Sequence, residues 1–337
     1  MKRKCRFFFA LLLVFCLLIS TMAAGEITEA QPKNEVTTDE ATSQNQPADE
    51  AAAPQYKVDA KAAVLIEAET GKVLYSMNEN EPLPIASITK IMTMLLVMEA
   101  LDEGKIKLND TITISPYATK MGGSQVYLKE GEQFTVEELL KAVAVHSAND
   151  ATVALAEKIA GTEEAFVALM NERAQQLNMK NTKFLDSTGL TDDGHYSSAL
   201  DISVMSRELL VNHPKIIIYT TIWHDTFRDG KFDLDNTNKL VKRYKGITGL
   251  KTGFTNKAGF CLSASAERDG TKFISVILGS ATNDQRFSES ARLLDYGFSN
   301  FESIRIEKQG LEAGTVQVKK GIYMEVPLNY SENAVLV

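Results

Sequence analysis

Strand-like segments stand at both ends of the folded part of this sequence, with helical segments between them. Four segments have strand-like patterns, in two pairs joined by tight turns: residues 62–67, 73–77, 257–267 and 271–279. Four others carry apolar side chains at helical spacing: residues 87–98, 136–160, 200–211 and 289–298. This order predicts an α+β fold, in which the N-terminal hairpin and the C-terminal strands share one antiparallel sheet with helices packed against it.

The N-terminus has the pattern of a secretory signal peptide. Basic residues at positions 2, 3, 4 and 6 precede an uncharged apolar run over residues 7–19, and Ala23, Ala24 and Gly25 follow. A retained membrane helix is the alternative, but the apolar run is shorter than the roughly 20 residues that span a bilayer. We therefore expect residues 1–24 to be removed and the protein to be exported.

Residues 25–55 are predicted to form a disordered acidic linker, with folded sequence from residue 56. They nearly lack large apolar side chains and cannot bury enough surface to offset the entropy of ordering. The formal net charge of the chain is -8, which argues against nucleic acid as a partner because phosphate binding needs a basic surface. Cys261 is the only cysteine beyond the predicted signal peptide, so neither an intrachain disulfide nor a thiol metal cluster is expected.

Ser87 and Lys90 lie three residues apart at the start of the first helical segment. On a helix this spacing puts both side chains on one face, within hydrogen-bonding reach. A serine hydroxyl is a weak nucleophile until a base accepts its proton, and a lysine with a lowered pKa can be that base. A helix N-terminus also stabilises negative charge that develops there. The alternative is a simple N-cap serine with an exposed lysine one turn later.

Two further short motifs follow. Ser147-Ala-Asn149 interrupts an apolar helical pattern with a hydroxyl and an amide, which predicts polar side chains that project into a cleft. Lys251-Thr-Gly253 precedes the C-terminal strands, and on a strand Lys251 and Gly253 share one face while Thr252 takes the other. Gly253 is expected to leave room for a ligand backbone, and Lys251 with Thr252 to bind a carboxylate. Alone, this tripeptide is also consistent with a charged edge strand.

The three motifs together, in this order, resemble the active-serine signature of penicillin-binding proteins and class A β-lactamases. The sequence is most similar to the low-molecular-mass serine-type D-alanyl-D-alanine carboxypeptidases, peptidase family S11. The segments that carry this similarity are residues 84–90, 127–131, 147–151, 195–198 and 251–260. The resemblance implies a D,D-peptidase domain over residues 56–301, with the β-lactamase/transpeptidase-like fold and a helical subdomain. Because family members continue into a complete β-rich domain, residues 302–337 are expected to be an incomplete C-terminal β segment.

The resemblance also implies roles for individual residues. Ser87 attacks the carbonyl of the penultimate D-alanine and forms an acyl-enzyme, Lys90 takes the serine proton, and Ser147 relays a proton to the leaving D-alanine. The residues implied to bind the substrate are Asn149, Lys251, Thr252, Gly253, Phe254 and Arg286. Among them, the amide of Phe254 completes an oxyanion hole with the amide of Ser87, and Arg286 helps to attract the substrate carboxylate.

The implied substrates are peptidoglycan stem peptides that end in D-Ala-D-Ala, and the implied covalent inhibitors are penicillins and other β-lactams. No cofactor and no metal are implied. The expected place of action is extracytoplasmic, in the cell wall or on the periplasmic side of the membrane. Membrane association, usual in the family through a C-terminal amphipathic anchor, has no support in the residues up to Val337.

Other functions are compatible with parts of this sequence. A D,D-endopeptidase that cuts cross-links uses the same three motifs and stays open. A class A β-lactamase needs a glutamate between the second and third motifs, and residues 181–190 contain none. A Ser-His-Asp hydrolase would have to use one of the histidines at 146, 195, 213 and 224, none of which has a nucleophile-elbow context, so structural or surface roles are expected for them. A catalytically silent wall-binding or sensory module is disfavoured because all three motifs are intact.

Overall fold

The central element of the protein is a five-stranded antiparallel sheet. The computed structural model describes residues 57–337 except 192, 307–308, 318–324 and 332–333, so the predicted signal peptide and linker lie outside the described residues. The strands are β1 Ala62–Glu67, β2 Val73–Met77, β3 Thr111–Thr113, β4 Gln133–Thr135, β5 His224–Phe227, β6 Phe232–Asp235, β7 Ile247–Thr255, β8 Gly259–Arg268, β9 Thr271–Ser280, β10 Ile304–Ile306, β11 Glu312–Gln317, β12 Glu325–Asn329 and β13 Ala334–Leu336. The order in the large sheet is β2-β1-β9-β8-β7, so the N-terminal hairpin pairs with the late strands as the sequence predicts.

Eight α-helices occur in the described part of the chain. They are α1 Lys90–Asp102, α2 Val136–Lys141, α3 Asn149–Ala160, α4 Glu163–Gln176, α5 Ala199–Asn212, α6 Ile217–Thr220, α7 Leu240–Arg243 and α8 Asn283–Asn300. Short 3₁₀ turns cover Ala86–Thr89, Ala118–Lys120 and Pro214–Ile216, and a π-helical turn covers Ala142–His146. In this part of the chain, no helix combines the length and the apolar character needed to cross a bilayer.

The sheet has a hydrophobic core on each of its two faces. Every residue of β1 is buried, because alternate side chains of a strand point to opposite faces and both faces are covered. Val64 and Ile66 pack with the helices from α1 to α5, and Leu65 packs with Phe273 and Leu293 on the α8 side. The predicted α+β fold, with helices on an antiparallel sheet, is therefore confirmed.

Two helix predictions need correction. The pattern over residues 136–160 predicts one helical region, but α2 gives way to the π-helical turn, and the chain breaks at Ser147 before α3 begins. The last helix is longer than the predicted 289–298. It begins at Asn283 after the N-cap Thr282, whose hydroxyl accepts the amide of Gln285, and its polar first turns hide it from a search for apolar spacing.

The C-terminal residues form small two-stranded pairs outside both cores. β10 pairs with β13 and β11 pairs with β12, both antiparallel. All residues of β11 and β12 are exposed. Polar contacts tie this segment to the N-terminal hairpin: Ser303 Oγ donates to Glu67, Arg305 pairs with Glu69, and Lys72 Nζ donates to the backbone oxygen of Val337 at 2.9 Å.

Candidate active site

Ser87 lies in a tight 3₁₀ turn that leads directly into α1. The turn covers Ala86–Thr89 and the α-helix begins at Lys90, so the serine precedes the α-helix and is not its first residue. In a 3₁₀ helix, side chains at i and i+3 are aligned one above the other. Accordingly, Lys90 Nζ donates a hydrogen bond of 2.9 Å to Ser87 Oγ. The predicted serine–lysine pair is formed, and Ser87 is half-buried while Lys90 is fully buried.

Burial changes the acid–base behaviour of Lys90. Removal from water disfavours the ammonium form and lowers the pKa of Lys90 to about 7, with Asp186 opposing part of that shift. The same Nζ donates a second hydrogen bond, of 2.7 Å, to the backbone oxygen of Thr188. Lys90 is therefore held toward Ser87 and is substantially neutral at physiological pH, as a proton acceptor must be.

The loop that carries Thr188 is built around the carboxylate of Asp186. This carboxylate accepts hydrogen bonds from the amides of Thr188 at 2.7 Å and Thr191 at 2.8 Å, and the pKa of Asp186 is held well below its usual range by these and other bonds, despite burial. Gly189, with φ of +83°, lets the loop close onto the Ser87 turn, because a Cβ there would lie 1.9 Å from the oxygen of Ala86. These contacts thus fix where the loop places the backbone oxygen of Thr188.

His195 packs against the turn that carries Ser87 and is 1% exposed. Its Nδ1 accepts the amide of Leu185 at 3.2 Å, which leaves the proton on Nε2 for the contact of 2.8 Å with Thr89 Oγ1. Thr89 Oγ1 in turn donates to the oxygen of Ala86 at 2.8 Å. These contacts are structural.

Ser147 and Asn149 stand at the break between the π-helical turn and α3. Ser147 has a φ of +66°, a left-handed conformation that is rare for serine and typical of functional sites. Asn149 is held by the neighbouring loop: its amide donates to the oxygen of Ser124 at 2.7 Å and its Nδ2 to the oxygen of Gly122 at 2.7 Å. Within the described residues, its buried Oδ1 has no hydrogen-bond partner. The break therefore holds a buried hydroxyl and a buried amide, neither of which makes a direct hydrogen bond to Ser87 or Lys90 among the described residues. Their projection into a cleft stays a prediction.

The Lys-Thr-Gly motif lies on β7, the edge strand nearest the Ser87 turn. Lys251 is fully buried, and the hydroxyl of Thr252 donates to Thr237 Oγ1 at 2.7 Å. The expected role of Gly253 needs correction. A Cβ there would lie 2.6 Å from the oxygen of Ile85, so the missing side chain makes room for the Ser87 turn itself rather than for a ligand backbone.

Three basic side chains lie around this strand. Burial, the charge of Lys90 and the charge of Arg286 hold the pKa of Lys251 well below its usual range. Arg286 Nη1 donates to the backbone oxygens of Gly253 at 2.9 Å and Cys261 at 3.4 Å. Burial lowers the pKa of Arg286 to about 10, so it stays charged at neutral pH. The structure thus brings Lys90, Lys251 and Arg286 into one electrostatic cluster.

Phe254 follows on the same strand, with a side chain that is 50% exposed. Its ring stacks on Phe260 with centroids 4.3 Å apart. The role of its backbone amide in an oxyanion hole stays a prediction.

Three contributors to the site escape sequence reasoning. Thr188 acts through its backbone oxygen, which leaves no side-chain signal. Asp186 lies in an Asp-Ser-Thr-Gly run that is typical of a loop with side-chain-to-backbone hydrogen bonds, and this was the available signal. Thr237 belongs to none of the three motifs, and its contact with Thr252, 15 residues later, depends on the fold.

The family model for D-alanyl-D-alanine carboxypeptidases, peptidase family S11, matches residues 47–282. The chain belongs to this family. The D-alanyl-D-alanine carboxypeptidase DacF of Bacillus subtilis is 49% identical over 277 residues, which are 81% of this chain and 71% of that protein. The expected family and the expected enzyme class, a serine-type D-alanyl-D-alanine carboxypeptidase, are confirmed.

Solved structures agree with this assignment. Penicillin-binding protein 5 of Haemophilus influenzae superposes with a TM-score of 0.79 at 34% identity, covering 84% of this chain and 83% of that one. Penicillin-binding protein D2 of Listeria monocytogenes, in its ampicillin-bound form, superposes with a TM-score of 0.67 at 32% identity, covering 73% of this chain and 100% of that one. This S11 carboxypeptidase therefore has the fold of the penicillin-binding proteins.

Proposed function

We propose that Ser87 is the acylating nucleophile of this carboxypeptidase and that Lys90 is its base. The observation that carries this proposal is the 2.9 Å contact between Ser87 Oγ and a buried lysine with a pKa of about 7. Ser87 Oγ bonds to the carbonyl carbon of the penultimate D-alanine as the C–N bond to the last D-alanine breaks. The serine proton passes to Lys90 and, through Ser147, a proton reaches the leaving amine. Water then hydrolyses the ester and returns a proton to Ser87.

The terminal carboxylate of the substrate binds beside β7 in this proposal. The hydroxyl of Thr252 contacts it, and Lys251 supplies positive potential. A bound carboxylate favours the ammonium form of Lys251, which is otherwise disfavoured by burial and by the neighbouring cations. Arg286 adds a positive charge close to β7, where it donates a hydrogen bond to the backbone oxygen of Gly253.

The acyl-donor part of the substrate is held by two other groups in this proposal. The side-chain amide of Asn149 contacts the peptide, and its Nδ2 is positioned by a hydrogen bond to the backbone oxygen of Gly122. The amides of Ser87 and Phe254 form the oxyanion hole, and Gly253 allows β7 to approach the Ser87 turn closely enough for both amides to reach one oxygen.

The proposed substrates are peptidoglycan stem peptides that end in D-Ala-D-Ala, and β-lactams are proposed to acylate the same serine. We also propose export through the signal peptide of residues 1–24, followed by the linker of residues 25–55. Residues 56–301 are proposed as the peptidase domain and residues 302–337 as a separate β-rich segment. In keeping with this division, none of the described residues after Phe301 belongs to either hydrophobic core.

The rival β-lactamase activity would need a free carboxylate to activate the deacylating water. Asp186, in the loop where such a group would lie, is occupied by hydrogen bonds to the amides of its own loop. Slow hydrolysis of the penicilloyl-enzyme is therefore expected.

Release of D-alanine from diacetyl-lysyl-D-Ala-D-Ala tests the proposal against hydrolysis of a β-lactam by the same preparation. The expected result is catalytic release of D-alanine, slow turnover of penicillin, and loss of both in Ser87→Ala. Release of D-alanine by a Ser87→Ala variant at the wild-type rate would refute the assignment.

A further inference from the structure

Three aromatic rings pack together near the break at Ser147, and one of them belongs to His146, the residue before it. The ring of Phe232, the first residue of β6, lies edge-on to Tyr127 with centroids 6.2 Å apart and edge-on to His146 with centroids 5.4 Å apart. Tyr127 is 65% exposed, whereas Phe232 and His146 are half-buried. We call Tyr127, His146 and Phe232 the aromatic wall. The edge-to-face geometry is one that aromatic rings prefer, so it favours one fixed arrangement.

Tyr127 is displayed by a braced backbone. Its φ is +55°, a conformation that costs energy for a bulky residue. The buried carboxylate of Asp150 accepts the amides on either side, those of Val126 at 3.2 Å and Leu128 at 3.0 Å. Arg228, in the turn between β5 and β6, donates to the oxygen of Val126 and to that of Tyr127 at 2.8 Å. An exposed ring on a strained but over-determined backbone points to a functional position.

The chain segments that carry two of these rings continue to the two ends of the proposed leaving-group site. His146 directly precedes Ser147, the proposed donor to the leaving amine. Thr237, which follows β6, donates its amide to the oxygen of Val145 at 3.1 Å and accepts the hydroxyl of Thr252 at 2.7 Å. A leaving residue with its amine at Ser147 and its carboxylate at Thr252 therefore has its Cα between these two points. The segments that carry these two points, residues 145–147 and 232–237, also carry His146 and Phe232 of the aromatic wall.

That side chain distinguishes the two peptidase activities left open by the motifs. In carboxypeptidase action the leaving residue is D-alanine, whose side chain is a methyl group. In cleavage of a direct cross-link the leaving residue also has a free carboxylate, but it carries a long side chain. Both leaving groups fit the carboxylate contacts equally, so only the space beside their side chains can select between them.

We propose that the aromatic wall restricts the leaving residue to a small D-amino acid and so makes this enzyme a carboxypeptidase rather than an endopeptidase. This inference rests on the proposed function, because it uses Ser147 and Thr252 to place the leaving residue. In this proposal the side chain of the leaving residue faces the rings of Phe232 and Tyr127, which limit its length. The hydrogen bonds to Asp150 and from Arg228 hold the backbone that carries Tyr127.

Paired substrates test this inference. Both carry diacetyl-lysyl-D-alanine as the acyl donor, and the leaving residue is either D-alanine or Nε-acetyl-D-lysine. The wild type is expected to prefer the D-alanine substrate. Phe232→Ala and Tyr127→Ala are each expected to raise kcat/KM for the large leaving residue, relative to D-alanine, by about tenfold or more, the scale of a change in pocket size. Tyr127→Trp is expected to lower that ratio.

The controls separate this inference from the proposed function. Tyr330→Ala removes another exposed tyrosine, in the C-terminal segment, and is expected to leave the ratio unchanged. If Phe232→Ala does not fold, the two variants at the exposed Tyr127 decide. A wild type that cleaves both substrates equally, or wall variants whose ratio stays at the wild-type value, would overturn the inference while the proposed function stands. A wild type that releases no D-alanine would instead refute the proposed function.

Discussion

Lys90 shows how the protein environment makes a base from an ordinary lysine. Lys90 is the first residue of α1, and its side chain is completely buried. Its Nζ donates hydrogen bonds to Ser87 Oγ and to the backbone oxygen of Thr188. Burial without a direct carboxylate partner moves its pKa into the physiological range, and Asp186 prevents a larger shift. The spacing of serine and lysine predicts their contact. The burial that makes the contact useful depends on a loop about 100 residues later in the chain.

Acylation of the enzyme by penicillin is expected to rise with pH through a midpoint near 7. Lys90 accepts a proton only when it is neutral, and below its pKa of about 7 the ammonium form dominates. The rate constant should therefore fall about tenfold for each pH unit on the acid side. Second-order acylation rate constants from about pH 5.5 to about pH 8.5 give the profile.

Lys90→Arg is the matched control for this pH profile. It keeps a positive charge but cannot lose its proton in this range, so acylation should be slow and should lack the rise near pH 7. A wild-type rate that is independent of pH between about 6 and 8 would contradict the role of Lys90 as base.

At the scale of elements, the loop over residues 186–191 and the break at Ser147 place the polar groups that regular helices could not. The helical pattern runs through residues 136–160 without a proline or glycine, so the sequence predicts a continuous helical region there. The structure breaks it because the π-helical turn and a left-handed Ser147 redirect the chain. Such a break depends on tertiary contacts that local spacing does not encode. Among them are the hydrogen bonds that Asn149 donates to the backbone oxygens of Ser124 and Gly122.

Gly189→Ala is expected to impair both stability and acylation. Its φ of +83° disfavours alanine, and the added Cβ would lie 1.9 Å from the oxygen of Ala86, so the loop and the oxygen of Thr188 must move away from Lys90. A displacement of about 1 Å at a catalytic group costs on the order of a hundredfold in rate. Penicillin acylation rates and denaturant-induced unfolding measure the two effects.

Gly104→Ala provides the comparison for Gly189→Ala. Gly104 has a similar φ of +70° but faces open space, so alanine there should lower the free energy of unfolding by only about 1 kcal/mol and leave acylation unchanged. Wild-type acylation by a folded Gly189→Ala variant would show that the loop does not position Lys90.

At the scale of the whole molecule, the fold joins three short motifs that are widely separated in sequence. The N-terminal hairpin pairs with β9, which places β7 at the opposite edge of the sheet, next to the Ser87 turn. The sharing of one sheet by the N-terminal hairpin and the late strands was predictable, as were the bounds of four of its five strands to within two residues, because apolar patterns and turn residues encode them locally. The order of the strands and the small two-stranded pairs were not predicted. The aromatic wall was not predicted either, since Tyr127, His146 and Phe232 meet only through the β5–β6 hairpin and its Arg228 brace.

The central claim is that Ser87 forms the acyl-enzyme. Its most direct test is peptide mapping by mass spectrometry after brief exposure of the enzyme to penicillin. We predict a single penicilloyl adduct on the peptide that contains Ser87, with none formed by Ser87→Ala. An adduct on another serine, or an unmodified Ser87 in enzyme that releases D-alanine, would contradict this account of the site.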